Sequence, residues 1–171
     1  IRRLIAECRD AMNTPHTALV GGKLLEWNQE SSANMWRAKH MPQHSGEFPL
    51  RNPPTLAGAN TLARRDILQS IGGYTTEYKT NYEDVDLQHR LTRLGLSCRY
   101  EPTARAWHLR HDTVRTVLRT WWAWLRPPSE RAGSFASDDG LAARRKEILE
   151  RFRICIENDM KTFRSDLAYI G

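Results

Sequence analysis

Between Glu83 and Tyr100 the chain changes its hydrophobic period once, and that change restricts the fold more than any other feature. Val85, Leu87, Leu91 and Leu94 supply apolar positions behind an acidic start, Glu83-Asp84-Val85-Asp86, which reads as a helix closed by Gly95. Leu96 to Tyr100 follows as a strand, Pro102 is expected to break it, and Ala104 to Leu109 reads as another short strand. Helix, glycine and strand in this order favour helices packed on a sheet, the α/β class.

The flanking segments fit the same class. Residues 1–13 place Leu4, Ile5, Cys8 and Met12 at helical spacing, and Thr17 to Leu25 is a mostly apolar run with a glycine pair, expected as a buried strand with a close backbone approach. From Glu26 to Pro54 the periodicity fades, apart from a helical stretch near Asn34 to His40. A connection of that length is uncommon unless it forms a binding loop or lid. Thr55 to Thr61 reads as a turn or short strand, Leu62 to Ile71 as a helix, and Gly72-Gly73 as its cap. His111 to Leu125 is expected as a helix with a broad apolar and aromatic face that Pro127-Pro128 stops. Ser129 to Gly140 reads as a hinge, and Leu141 to Leu167 as a long amphipathic helix that needs a partner surface. The expected organisation is therefore a main domain over 1–131 and a hinge with a helix over 132–171.

Composition narrows the function classes. The chain of 171 residues is 40% hydrophobic and 27% charged, which disfavours collagen-like, coiled-coil-only and strongly disordered classes. Its net charge is +6, and Arg outnumbers Lys by 21 to 5, a bias suited to bidentate pairing with phosphate or carboxylate. Anionic substrates, anionic lipid headgroups and nucleic acid are all compatible partners. No zinc-finger spacing, RNP aromatic pattern or helix-turn-helix arrangement stands out for the nucleic-acid alternative. Cys8, Cys98 and Cys155 are odd in number and lack CxxC spacing, which favours a reduced compartment, and no run approaches the length of a membrane span.

The acidic tetrad and the histidines beyond it carry the chemistry. Acidic residues in a first helical turn are favoured by the helix dipole alone. A carboxylate beside a divalent cation can also accept a proton from an incoming hydroxyl while the ion neutralises a departing diphosphate. Oxygen ligands suit Mg²⁺ or Mn²⁺, and an imidazole ligand such as His108 tips the balance toward Mn²⁺.

The run Gly58-Ala59-Asn60-Thr61-Leu62-Ala63-Arg64-Arg65, then Ile71-Gly72-Gly73-Tyr74, Glu83-Asp84-Val85-Asp86-Leu87, Arg90-Leu91, Gly95, Pro102, Ala104 and His108, resembles the C-terminal half of family 2, GT-A-fold glycosyltransferases. The resemblance spans roughly Ala18 to Trp124. It implies an incomplete GT-A-like three-layer sandwich that lacks most of the N-terminal nucleotide-binding half, followed by the C-terminal helix. It also implies inverting transfer from a nucleoside-diphosphate sugar, with UDP among the candidate nucleotides, to a saccharide or lipid-linked acceptor of the cell envelope.

By the same resemblance Asp84 is the catalytic base, Glu83 and Asp86 lie near acceptor or metal, and His108 is the metal ligand for Mn²⁺ or Mg²⁺. Gly58, Ala59 and Asn60 are placed beside the donor sugar, and Gln43 and His44 near the acceptor cleft. The family's DxD motif is expected upstream of a helix such as residues 1–13, and none precedes Ile1, so the chain alone is expected to be unable to bind donor.

Other residues extend these expectations. Trp36 and Trp27 are candidates for the acceptor cleft, because their segment lacks a core pattern. From Arg105 to Arg131 six Arg face only Asp112 and Glu130, a surplus of four positive charges beside the cluster of Trp121, Trp122 and Trp124. That patch suits contact with a membrane surface and equally an ordinary basic face, so the expected location is cytoplasmic, with the inner face of the membrane as one candidate place. The competing expectations are a basic nucleic-acid-binding module, or an assembly module whose last helix takes a protein partner.

Overall fold

The sheet is organised by β1 (Thr17–Glu26), ten residues of which all but one are buried. The computed structural model describes residues 2–14, 16–76, 78, 81–125, 146–147, 149–151 and 153–161. The elements after β1 are α2 (Ser32–His40), β2 (Leu50–Arg51), a 3-10 turn (Gly58–Asn60), β3 (Thr61–Ala63) and α3 (Arg65–Ser70). They are followed by α4 (Glu83–Arg93), β4 (Ser97–His108) and α5 (Val114–Leu125), and α1 (Arg2–Met12) precedes them all. The sheet order is β2-β4-β1-β3, with β1 parallel to β4 and both edge strands antiparallel to their neighbours.

Adjacent residues of a strand point to opposite faces, so Leu19 and Val20 of β1 mark two cores. Leu19 packs with Leu56, Leu87, Leu91, Cys98 and Tyr100, which places α4 on one face. Val20 packs with Cys8, Ala11 and Ala104, which places α1 on the other. The sheet is therefore covered by helix on both sides, which explains why β1 reads as a continuous apolar run rather than an alternating one. Burial of Cys98 pushes its thiol up to about 11.

Pro102 does not end the strand. Pairing between β1 and β4 jumps from Gly22↔Glu101 to Lys23↔Arg105, so Pro102, Thr103 and Ala104 form a bulge inside one strand that continues to His108. A bulge is where proline fits, because no ladder hydrogen bond is asked of its missing N–H. The bulge is plugged by the Asn60 amide, whose Nδ2 donates to Lys23 O at 3.2 Å and to Ala104 O at 3.0 Å.

Gly22 is required at this point. A Cβ there would stand 2.0 Å from Ala104 O and 2.5 Å from Asn60 Nδ2. Gly22→Ala is therefore expected to push β1 and β4 apart at the bulge and to cost about 2 kcal/mol of stability. A urea unfolding curve unchanged from wild type would contradict the close approach.

Two further elements differ from the sequence reading. Residues 61–63 pair with β1 instead of starting a helix, so the helix expected over Leu62–Ile71 is confined to α3. The helix expected from His111 begins at Val114, because Thr116 N donates to Thr113 Oγ1 at 3.3 Å and makes Thr113 the cap. Upstream of that cap, Asp112 N is engaged by Asn34 Oδ1 at 2.8 Å. On α5, Val114, Leu118 and Trp122 are exposed along one stripe, while Val117 is buried against Ala33 and Met41.

The chain divides into two compact units, Ile1–Trp124 and Leu125–Gly171. In the second, the described residues of 146–161 are helical and carry the surface pairs Arg151–Glu147 and Arg153–Glu150. The hinge expected at 129–140, and both ends of the helix expected over 141–167, lie outside the described residues. Among the described residues no helix is long and apolar enough to cross a membrane.

Candidate active site

The acidic tetrad forms the first turn of α4, directly after Tyr82, whose φ of 84° is left-handed. That conformation is an outlier for a bulky aromatic residue, and its cost is on the order of 1–3 kcal/mol, which the surrounding packing must hold in place. Asp84 is anchored by two backbone donors. Val85 N donates to its Oδ1 at 2.8 Å, and Gly58 N donates to its Oδ2 at 3.0 Å. The second bond joins the turn of Gly58–Asn60 to the start of α4, and a Cβ on Gly58 would lie only 3.2 Å from the Asp84 Cβ.

Its neighbours divide by role. Asp86 pairs with Arg90 Nε at 2.8 Å, and the same guanidinium donates to Ile71 O and Gly73 O at 3.0 and 2.6 Å. Asp86 therefore holds the Gly72-Gly73 turn against α4, which is a structural duty. Glu83 Oε2 is buried with no hydrogen-bond partner among the described residues, and so is Oδ1 of Asn60, itself 3% exposed. Buried acceptors without donors are costly, and both lie within two residues of the Gly58–Asp84 bond. Ala59, between Gly58 and Asn60, is exposed.

His108 ends β4 directly opposite Glu26, the last residue of β1. Its Nδ1 lies 3.0 Å from Glu26 Oε1 and 3.1 Å from Oε2. Behind Glu26 runs a buried charge network that the sequence reading missed entirely. Arg37 Nε donates to Glu26 Oε1 at 3.1 Å and stands 3.5 Å from Asp112 Oδ2, and Asp112 is bound from its other side by Arg110 Nε at 3.0 Å. Glu26, Arg37 and Asp112 are 7%, 2% and 0% exposed in their side chains. No local pattern signals such a set, since its members lie on β1, on α2 and ahead of α5.

The residues expected at the acceptor cleft are partly drawn into this network. Gln43 Oε1 accepts from Arg37 Nη2 at 3.4 Å. His44 is exposed, and Gly46 N donates to its Nδ1 at 3.2 Å. Partial burial, and then the Lys23 ammonium, hold the His44 pKa below the usual imidazole value. Lys23 pairs with Glu47, and Tyr100 OH donates to Gly46 O at 2.8 Å, so the loop after α2 is tied to the sheet. Trp36 packs edge-on against Trp121 with ring centroids 5.3 Å apart, which makes it part of the α2–α5 contact. Trp27 is 60% exposed and meets Trp107, which is 55% exposed, at 5.3 Å. Trp107 was legible only as a strand residue, and strand alternation turns it to the face opposite His108.

The site thus has two anchored groups. Asp84 is fixed to Gly58, and His108 is fixed to Glu26, with no hydrogen bond or ion pair between Asp84 and His108. The Asn60 amide is seated on Ala104, and His108 lies four positions further along β4, a run of about 13 Å. Among the described residues no group of three His, Cys, Asp or Glu side chains could hold a metal ion. His108 fits a divalent cation as one imidazole donor, because its Nδ1 is occupied by a carboxylate in the arrangement common to metal-ligating histidines. No known family model matches the chain, and no curated protein matches it.

Proposed function

We propose that this chain is the acceptor-side and catalytic part of an inverting, GT-A-type glycosyltransferase in which Asp84 is the base. The observation that carries the reading is the Gly58 N–H to Asp84 Oδ2 bond of 3.0 Å, which brings the Gly58-Ala59-Asn60 turn and the acidic tetrad to one place.

In this reading the acceptor hydroxyl loses its proton to an Asp84 carboxylate oxygen as its own oxygen attacks the anomeric carbon. The bond from that carbon to the diphosphate oxygen breaks, and the electron pair leaves with the nucleoside diphosphate. A single displacement inverts the anomeric configuration and needs no covalent sugar–enzyme intermediate. The two backbone N–H groups on Asp84 orient the carboxylate, so that geometry contributes to the rate alongside basicity. A bound Mn²⁺ or Mg²⁺ would supply charge stabilisation for the leaving diphosphate, with His108 as one of its ligands.

The test is transfer by the full-length protein from UDP-, GDP- and dTDP-sugars to saccharide and lipid-linked acceptors, with MnCl₂ and with chelator. The expected result is metal-dependent transfer with an inverted anomeric product, read by NMR. Failure with every donor, together with salt-dependent binding to polynucleotide, would replace the reading with a nucleic-acid-binding one.

A further inference from the structure

We infer that Glu26 is a positioning residue that fixes the tautomer of His108 and leaves its Nε2 as a bare lone-pair donor. The functional weight of this inference rests on the role given to His108 above, but its geometry does not. A carboxylate only accepts hydrogen bonds, so an Nδ1 within 3.0 and 3.1 Å of both Glu26 oxygens must carry the proton. In the neutral ring the lone pair then sits on Nε2.

Glu26 has no freedom to release the ring. Its side chain is 7% exposed, and Arg37 Nε also donates to Oε1 at 3.1 Å. The backbone fixes the ring's base as well, since Glu26 and His108 are register partners and Trp27 N donates to His108 O at 3.1 Å. The imidazole is 26% exposed against 7% for its partner, so the ring reaches out from a buried carboxylate. A carboxylate behind an imidazole raises its strength as a ligand and removes the cost of choosing a tautomer on binding. The network continues from Arg37 to Gln43, so the loop after α2 is coupled to the same ring.

Long-range ¹H–¹⁵N spectra of the chain at a pH of about 9, above the imidazole range, read the tautomer directly. The expected wild-type spectrum shows His108 protonated at Nδ1 and bare at Nε2, and Glu26→Gln is expected to mix the two tautomers. A wild-type ring protonated at Nε2 would overturn the inference, and this reading stands even if the variant fails to fold. Titration with MnCl₂ gives the second arm. Broadening of the His108 ring protons is expected to need about 10-fold or more higher metal in Glu26→Gln. Equal broadening in both proteins would remove the positioning role. The inferred tautomer without any broadening in wild type would keep Glu26 as the orienting group and withdraw the metal from the proposed transferase.

Discussion

Asp84→Asn is expected to lower sugar transfer by the full-length protein about 10³-fold, while donor binding and the melting temperature stay near wild type. The substitution is close to a pure removal of the base. The amide retains one oxygen, which can accept from Gly58 N or Val85 N, so one of the two anchors of 3.0 and 2.8 Å survives. What it loses is the capacity to take a proton from the acceptor hydroxyl as the new bond forms. Asp86→Asn should behave in the opposite way. It weakens the 2.8 Å pair with Arg90, which clamps Ile71 O and Gly73 O, so the melt should fall while turnover per folded molecule changes little. Initial-rate kinetics and thermal melts on both variants separate the two roles. Full turnover in Asp84→Asn would end the assignment of the base.

The contrast between those two carboxylates shows what the sequence could reveal. Both sit in one helical turn with the same composition, and only the structure tells that one faces Gly58 and the other is spent on Arg90. Local signals were legible where one period dominates. The apolar run with a glycine pair marked β1, and the acidic start with its apolar stripe marked α4.

Nonlocal pairing hid the rest. The strand reading stopped at Leu25, one residue short of Glu26, so the partner of His108 fell into the loop and its role could not be seen across 82 positions. Pro102 looked like a strand breaker, since the bulge that accommodates it depends on Gly22 and Asn60, which are remote in sequence. The segment around Trp36 showed no core pattern because its aromatic partner, Trp121, lies on α5.

Arg37→Met should produce the largest loss of stability. The substitution keeps an apolar stem beneath Trp124, over whose ring the guanidinium carbon now sits at 5.5 Å, and it deletes the one cation between two buried carboxylates. Glu26 and Asp112, 7% and 0% exposed, then repel each other with less to offset their desolvation. Removing one partner from a buried ionic set costs about 3–5 kcal/mol, against a total stability of about 5–15 kcal/mol for a domain. The low end applies, because His108 still meets Glu26 while Arg110 and Thr116 still donate to Asp112 Oδ1. About 3 kcal/mol corresponds to a fall in melting temperature of about 10 °C for a chain of this size. Adding Asp112→Asn to Arg37→Met should recover part of that loss, since it removes one of the stranded charges, and the pair should therefore be non-additive. A single-variant loss below about 1 kcal/mol in denaturant unfolding, or a double variant weaker than the sum of its parts, would mean that the ions are not desolvated together, and the rigid backing ascribed to Glu26 would go with them.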